Sequence, residues 1–255
     1  MLLELRSVSR RFGGLQAVAD LSMTVAAGSI HGLIGPNGAG KSTVFNLITG
    51  VIRLSAGEIL FKRERISGLP PSEICRRGIA RTFQATALFR EYTVLQNVLV
   101  GAHRLAAAGL APALAWSGPY RERERRARER GRALLESLGL AAAADQVAGQ
   151  LPHRDQKALA LAMALATGAE LVILDEPLAG LTDQEKADTI AGLRRLRDGT
   201  VTVLLVEHDM RAVMGLCDTV TVLDHGVRIA EGTPREIQTN PAVIEAYLGA
   251  EEPGA

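Results

Sequence analysis

The amino-acid sequence predicts an α/β fold with a mostly parallel sheet, and three observations lead to it. Apolar, β-branched runs of strand length occur at residues 171–174, 201–206 and 219–223. Helix-forming stretches separate such runs, notably residues 184–197. The runs are nearly continuous in apolar residues, which is typical of strands buried on both faces of a sheet. Strands that alternate with helices in this way indicate a parallel sheet.

The first part of the chain is predicted to form short strands around one helix. Strand-like segments lie at residues 2–8, 21–25, 30–34 and 57–61. The third of them leads directly into a glycine-rich turn. A helix is expected from about residue 41 to residue 49, and Gly50 is placed to end it.

The region between about residues 84 and 150 differs in composition, being rich in Ala, Leu, Arg and Glu. It predicts helices at residues 95–105 and 120–138, and therefore a helical insertion in the α/β core. Residues 121–130 alternate Arg and Glu, which favours a solvated helix face with local ion pairs. Attraction to anionic lipids is the weaker alternative, because the interspersed Glu residues cancel much of the positive field.

Composition limits the class of protein. With 255 residues and 47% hydrophobic content, the chain can bury a large core. Its 29 basic and 28 acidic residues leave a net charge of +1, which gives no support for a nucleic-acid partner. The two cysteines, Cys75 and Cys217, lie far apart and form no C-x-x-C motif. Neither a disulfide framework nor a zinc site is expected, and a reducing compartment fits.

The sequence contains no expected membrane anchor. No uninterrupted apolar run approaches the ~18 residues that cross a bilayer. Charges at Glu4 and Arg6 distinguish the N-terminus from the apolar stretch of a signal peptide. The chain is therefore expected in the cytosol, with any membrane association made through a partner.

Residues 35–42, called the phosphate loop below, match the pattern G-x-x-x-x-G-K-[ST]. The glycines allow successive backbone N–H groups to point at a phosphate, and the following helix directs the positive end of its dipole there. The Lys41 ammonium would reach the β- and γ-phosphates, and the Ser42 hydroxyl would ligate Mg²⁺. A glycine-rich turn with a surface lysine is the alternative, but an apolar strand before the loop and a helix after it favour nucleotide binding.

Two predicted strands end in polar residues. Asp175 and Glu176 follow residues 171–174, and Glu207 and His208 follow residues 201–206. Since ligands of open α/β sheets bind at the carboxyl ends of strands, Asp175 is expected to hold Mg²⁺ and Glu176 to orient or deprotonate a water. His208 is a candidate hydrogen-bond partner of the γ-phosphate. The alternatives are solvated acids at a strand end and a structural histidine.

Together these motifs resemble those of the ATP-binding cassette (ABC) ATPases over essentially the whole chain. The resemblance implies a P-loop NTPase core with an N-terminal antiparallel β part, formed by residues 1–85 and 155–255, and an inserted helical subdomain, residues 86–154. It implies ATP and Mg²⁺ as ligands. The residues that it places at the nucleotide are Phe12, Gly35, Pro36, Asn37, Gly38, Ala39, Gly40, Lys41, Ser42, Thr43 and Gln84.

The resemblance also assigns roles. Glu176 corresponds to the catalytic glutamate and His208 to the switch histidine, and both act with Lys41. Gln84, in Arg-Thr-Phe-Gln, corresponds to the glutamine that joins Ser42 and Asp175 at Mg²⁺ and reports the γ-phosphate to membrane subunits. An aromatic residue at the position of Phe12 stacks on adenine in the family. For Phe12 taken alone, a core position is the better reading.

Within the family, several stretches resemble the larger ATPase subunit of branched-chain amino-acid importers: residues 11–15, 81–84, 88–91, 207–210 and 246–249. Such subunits pair with a second, different ATPase, two membrane permeases and, indirectly, a substrate-binding protein, at the cytoplasmic face of the inner membrane. Close relatives carry urea or amides. A lipopolysaccharide-type exporter subunit and a soluble ABC protein of DNA repair or translation are the alternatives.

One motif departs from the family. Its L-S-G-G-Q signature, which serves the γ-phosphate bound to the opposite subunit, is replaced at residues 151–157, where the changed positions are Pro152, His153, Arg154 and Asp155. Pro152 has neither hydroxyl nor N–H, and a side chain at Arg154 would crowd a close backbone approach. Residues 179–182, the D-loop, carry Thr182 in place of the usual Asp or Asn.

Three interpretations of the altered signature stay open. The signature is degenerate and leaves one site that hydrolyses ATP slowly, or Arg154 replaces it by donating to the phosphate, or the assembly tolerates the change. In a head-to-tail pair, this signature would serve the partner's phosphate loop. A homodimer would then have two impaired sites, whereas a heterodimer could keep one intact, and we therefore expect a heterodimer.

Overall fold

An antiparallel sheet of four strands forms the N-terminal part of the computed structural model, which describes residues 1–82, 88–106, 118–199 and 201–248. In the spatial order β2-β1-β4-β5, its strands are β1 (Leu3–Phe12), β2 (Leu15–Val25), β4 (Ala56–Phe61) and β5 (Glu64–Arg65). The predicted start of β2 at residue 21 is wrong, because β1 and β2 stay paired as far as Phe12 opposite Leu15. The turn between them is possible because Gly13 adopts φ +56°.

A second sheet of six strands forms the centre, in the order β10-β9-β3-β8-β7-β6. Its strands are β3 (Ile30–Ile34), β6 (Ile79–Arg81), β7 (Leu171–Asp175), β8 (Thr202–Val206), β9 (Thr219–Asp224) and β10 (Val227–Gly232). All neighbours pair in parallel except β10, which is antiparallel to β9. The mostly parallel sheet is therefore confirmed. The sequence did not predict β6, which has only three residues, or β10, which is mostly exposed.

Helices cover this sheet and build a separate layer. They are α1 (Lys41–Ile48), α2 (Pro71–Arg77), α3 (Val94–Ala106), α4 (Gly118–Ser137), α5 (His153–Ala166), α6 (Asp183–Asp198), α7 (Met210–Leu216), α8 (Pro234–Gln238) and α9 (Pro241–Leu248). Helices α1, α3, α4 and α6 lie within a few residues of their predicted ranges. No helix of the described segments is long and apolar enough to cross a membrane.

Both faces of the central sheet are buried, as its apolar strands predicted. One face packs on α1 and the antiparallel sheet through residues such as Leu33, Phe45 and Ile173. The other packs on α5, α6 and α7 through residues such as Val172 and Leu205. Consecutive residues of β7 therefore enter opposite cores, which is the alternation expected of a strand.

Helices α3, α4 and α5 enclose a smaller apolar cluster of their own. The helices α3 and α5 cross closely at Gly101, where an added Cβ would lie 2.4 Å from the carbonyl oxygen of Met163. Helix α5 belongs to both parts, since Leu159 points into this cluster and Leu161 into the core of the sheet. The subdomain limits predicted at residues 86 and 154 stay a prediction, because one continuous helix joins the two cores.

Helix α4 carries the alternating Arg and Glu residues on its exposed surface. Glu122 accepts from Arg125 and Arg126, both at 2.7 Å, and Arg128 lies 2.9 Å from Glu124. The hydrogen bonds from Arg125 and Arg126 lower the pKa of Glu122 to about 2. The interpretation of this segment as a solvated face with local ion pairs is confirmed.

Candidate functional site

The phosphate loop connects the end of β3 to the start of α1, and its backbone requires glycine. A Cβ on Gly35 would lie 2.0 Å from the carbonyl oxygen of Leu223, and a Cβ on Gly40 would lie 2.5 Å from that of Ala17. Gly40 also has φ +100° and forms the N-cap of α1. No side chain caps this helix and its first turn has no acidic residue. The first amides of α1 are therefore placed to receive an anion.

Lys41 lies inside the loop, with only 7% of its surface exposed. Its ammonium donates to the carbonyl oxygens of Gly35 and Pro36, both at 2.8 Å. Burial lowers the pKa of Lys41, while the charges of Glu176 and Asp175 act to raise it. The loop and the acidic end of β7 thus lie within electrostatic reach of each other, as the sequence predicted.

The strands that carry the candidate residues end at one edge of the sheet. Strands β3 and β7 both pair in parallel with β8, which lies between them. Asp175 at the end of β7 is nearly buried, whereas the Ser42 side chain at the start of α1 is exposed. Among the described residues, the Ser42 hydroxyl has no hydrogen-bond partner. Hydroxyl and carboxylate oxygens are the ligands that Mg²⁺ prefers, so these two residues fit that ion.

Arg81 is a part of this site that the sequence did not reveal. Its Nη2 lies 2.7 Å from Oδ2 of Asp175, and both side chains are 9% exposed. Its Nη1 donates to Oδ1 of Asn46 on α1 at 2.6 Å, and its guanidinium lies 5.4 Å from the Phe45 ring centre. Arg81 therefore joins β6, β7 and α1, and it balances the charge of a carboxylate that would otherwise be buried alone.

Glu176 and His208 lie side by side after β7 and β8. Nε2 of His208 is 2.8 Å from Oε1 of Glu176, and the ring is half-exposed. Glu176 has φ +51°, in the left-handed region that a glutamate rarely adopts. Strain of this kind costs about 1–3 kcal/mol and persists where surrounding contacts enforce it. The half-buried Lys157 and the buried Glu207 supply such contacts, to the carbonyl of Glu176 and to the amide of Leu178.

Three further residues were predicted to contact the nucleotide: Phe12, Gln84 and Thr43. Phe12 is 42% exposed at the end of β1, with the Arg10 guanidinium 4.4 Å from its ring centre. The core reading of Phe12 is therefore wrong, because the ring is exposed in part, and the Arg10 guanidinium lies over one of its faces. Gln84 lies outside the described residues. Thr43, the last residue of the predicted set, is half-buried in α1.

The altered signature forms the N-terminus of α5. Pro152 is the N-cap and gives no side-chain hydrogen bond, and Asp155 lies in the first turn. Arg154 makes an ion pair with Asp188 of α6 at 3.3 Å, with both side chains well exposed. Such a pair contributes about 0–1 kcal/mol, so Arg154 is not locked in place. The ring of His153 faces Gly180, where an added Cβ would lie 3.7 Å from Nε2.

Thr182 has a local function that explains its presence in the D-loop. It is the N-cap of α6, and its hydroxyl accepts from the amide of Glu185, whose carboxylate in turn accepts from the amide of Thr182 at 2.8 Å. Thr182 and Glu185 therefore form a reciprocal capping box. The hydroxyl of Thr182 also donates to Glu185 at 2.8 Å, a hydrogen bond that an ionised Asp could not donate.

The family described as ABC transporter matches residues 18–179, and the one described as branched-chain amino acid ATP-binding cassette transporter matches residues 227–253. The high-affinity branched-chain amino acid transport ATP-binding protein LivG of Salmonella typhimurium is 42% identical over 249 residues, which cover 97% of this chain and 98% of that protein. BraF of Pseudomonas aeruginosa, which carries the same description, is 41% identical with the same coverage.

Solved structures show the same fold. An ATP-binding cassette of an ABC transporter in its ADP conformation matches with a TM-score of 0.85 and 30% identity, over 97% of this chain and 98% of that chain. A nucleotide-free cassette from an ABC transporter matches with a TM-score of 0.83 and 30% identity, over 96% and 98%. The six-stranded sheet, the antiparallel part and the helical layer therefore form a known arrangement.

Proposed function

Because this chain belongs to the ABC transporter family of ATP-binding cassettes, we propose that it is the ATP-hydrolysing subunit of an importer for branched-chain or related amino acids. The observation that carries the substrate class is the near-complete alignment with LivG and BraF at 41–42% identity. Co-purification with permease partners, followed by ATPase assays, tests it. We expect leucine, isoleucine or valine with its binding protein to stimulate hydrolysis, and stimulation only by an unrelated solute would contradict the proposal.

The nucleotide is proposed to bind along the phosphate loop. The backbone N–H groups of residues 35 and 37–43 and the Lys41 ammonium would surround the phosphates, with Pro36 lying beside them, and Phe12 would stack on adenine. Ser42, Asp175 and Gln84 are the proposed ligands of Mg²⁺. When bound, the ion neutralises charge on the β- and γ-phosphates and holds them in line for attack.

Hydrolysis is proposed to depend on Glu176. Its carboxylate stands at the carboxyl edge of the sheet, where it would orient the attacking water and accept a proton from it. His208, at 2.8 Å from that carboxylate, holds its orientation and lies exposed enough to reach the γ-phosphate. Lys41 would stabilise the charge that develops on the transferred phosphoryl group.

The variant Glu176→Gln tests this role. The amide keeps the shape and can still meet His208 but cannot accept a proton. We expect kcat to fall by roughly 10²–10⁴-fold, the typical contribution of a general base, with the affinity for ATP unchanged. Steady-state phosphate release and nucleotide titration measure the two quantities. Normal turnover by this variant would remove Glu176 from the mechanism.

The partner is proposed to be a second, different ATPase subunit, with two permeases holding the pair at the cytoplasmic face of the membrane. Intact phosphate-loop residues beside an altered signature support a heterodimer with one competent site. The variant Arg154→Gly tests it within the assembled complex, because a restored glycine should raise the ATPase rate at the impaired site. Fast hydrolysis by this chain alone as a homodimer would contradict the proposal.

A further inference from the structure

The four residues that follow β7, residues 176–179, are held between two groups of opposite charge, a half-buried lysine and a buried glutamate. Lys157 approaches from α5 and Glu207 from the end of β8. Neither side chain has a part in the chemistry proposed above. We call this segment the glutamate loop, because Glu176 is its first residue.

Lys157 binds the carbonyl side of the glutamate loop. Its ammonium donates to the oxygens of Glu176 at 3.1 Å, Pro177 at 3.3 Å and Ala179 at 2.5 Å. A lysine ammonium has three N–H donors, so this one side chain is fully used by backbone acceptors of a single loop. The arrangement directs the carbonyl groups of residues 176, 177 and 179 towards α5.

Glu207 binds the amide side of the same loop. It is 5% exposed, and its Oε1 accepts from the amide of Leu178 at 2.6 Å. Burial is the main influence on Glu207 and raises its pKa, while the nearby charge of Lys157 acts in the opposite direction. The charge of the half-buried Lys157 thus compensates that of the buried Glu207 across the loop.

The position of Glu176 needs this support. Its φ of +51° is unfavourable for a glutamate. The amide of Glu176 donates to the carbonyl oxygen of Val206 at 2.9 Å, and its carbonyl accepts from Lys157. The backbone is therefore fixed on both sides of the strained residue, and the carboxylate is directed at His208 rather than into solvent.

We propose that Lys157 and Glu207 are positioning residues for Glu176, and that Lys157 links the N-terminal turns of α5 to the catalytic glutamate of the same chain. The proposal rests on the proposed function of Glu176. One turn before Lys157, His153 faces Gly180 just beyond the glutamate loop. Through His153 and Lys157, helix α5 therefore contacts residues 176–180 of its own chain.

The variants Lys157→Met and Lys157→Arg test the proposal in the assembled transporter. Methionine keeps the length of the stem and removes all three donors, so we expect kcat to fall by on the order of 10²-fold, the effect of a displacement of about 1 Å at a catalytic group. The affinity for ATP should change less than about twofold, because the phosphate loop is untouched. Arginine should restore kcat to within about tenfold of the parent, since it also donates to carbonyl oxygens.

Arg194→Met is the matched control. Arg194 also donates to a backbone carbonyl, that of Gly215 at 2.6 Å, but this contact joins α6 to α7 away from the site. We expect its kcat to stay at the parental value. If Arg194→Met and Lys157→Met lower kcat equally, or if Lys157→Met weakens ATP binding in proportion, the positioning role is refuted. Should Lys157→Met fail to fold, Lys157→Arg and Glu207→Gln carry the same comparison.

A double-mutant comparison separates this proposal from the function of Glu176. If Lys157 acts through Glu176, then Lys157→Met introduced into Glu176→Gln should cause no further loss of residual hydrolysis. An additive loss would overturn the positioning proposal and leave the proposed function intact. Normal hydrolysis by Glu176→Gln alone would instead overturn the role of Glu176, whatever Lys157→Met does.

Discussion

Replacing Arg81 by methionine should destabilise the protein more than any change to its surface ion pairs. Arg81 and Asp175 are each 9% exposed and 2.7 Å apart, so the substitution leaves a nearly buried carboxylate without its counter-charge. Removing one partner of a buried pair typically costs about 3–5 kcal/mol. The lost donor to Asn46 at 2.6 Å acts in the same direction. For a chain of this size, the melting temperature should fall by roughly 6–20 °C.

Thermal unfolding followed by circular dichroism measures this effect, and two further variants define its origin. Arg132→Met breaks an exposed pair with Asp145, 3.3 Å apart, and should change stability by less than about 1 kcal/mol. The double variant Arg81→Met/Asp175→Asn removes the stranded charge as well and should recover part of the loss. If Arg81→Met melts within about 2 °C of the parent, or if the double variant is no more stable than the single one, the ion pair does not stabilise this edge of the sheet.

Two further predictions concern single substitutions, one at Gly40 and one at His31. Gly40→Ala should abolish ATP binding in a nucleotide titration. The new Cβ would lie 2.5 Å from the carbonyl oxygen of Ala17, and Gly40 has φ +100°, which alanine rarely adopts. The control Gly14→Ala, with open space around its Cβ, should bind ATP normally. Burial lowers the pKa of His31 from 6.5 to about 4, so the unfolded chain binds its proton first as the pH falls. The contribution of His31 to the free energy of unfolding is fully present above pH ~6.5. It decreases by up to about 3 kcal/mol as the pH falls from ~6.5 to ~4. The free energy of unfolding, measured with urea across this pH range, should fall with decreasing pH in the parent and fall less in His31→Gln. An equal fall in both proteins would show that His31 is not its cause.

The sequence contains enough local information to predict the nucleotide half of the site. The phosphate loop is a contiguous pattern whose glycines and lysine are each required by the geometry, and the structure places them at the end of β3 as expected. The ends of β7 and β8 were predictable for the same reason, since a buried apolar run followed by acids or histidine is visible in the chain itself. Parallel pairing then brings Glu176 and His208 together.

Other parts of the site depend on pairings between distant positions and left no signal in the sequence. Arg81 and Asp175 are separated by 94 positions, and nothing in the residues before either one indicates the other. Lys157 follows the altered signature and Glu207 precedes His208, and no pattern around either residue indicates a contact with residues 176–179. Single-sequence patterns report which face of an element is buried, but not which buried charges meet.

Helix α5 carries the altered signature at its N-terminus and, one turn later, the lysine that holds the glutamate loop. Positions 153 and 157 of α5 are four residues apart and share a face, which the structure directs at residues 176–180 of the same chain. Arg154, three positions before Lys157, instead pairs with Asp188 of α6. In the proposed head-to-tail pair, changes at Arg154 would alter what this chain offers to a partner, whereas changes at Lys157 would alter the support of its own Glu176. Because the partner's signature would complete the site at this chain's phosphate loop, loss of the signature glycines here does not require loss of hydrolysis there, provided that the partner supplies an intact signature.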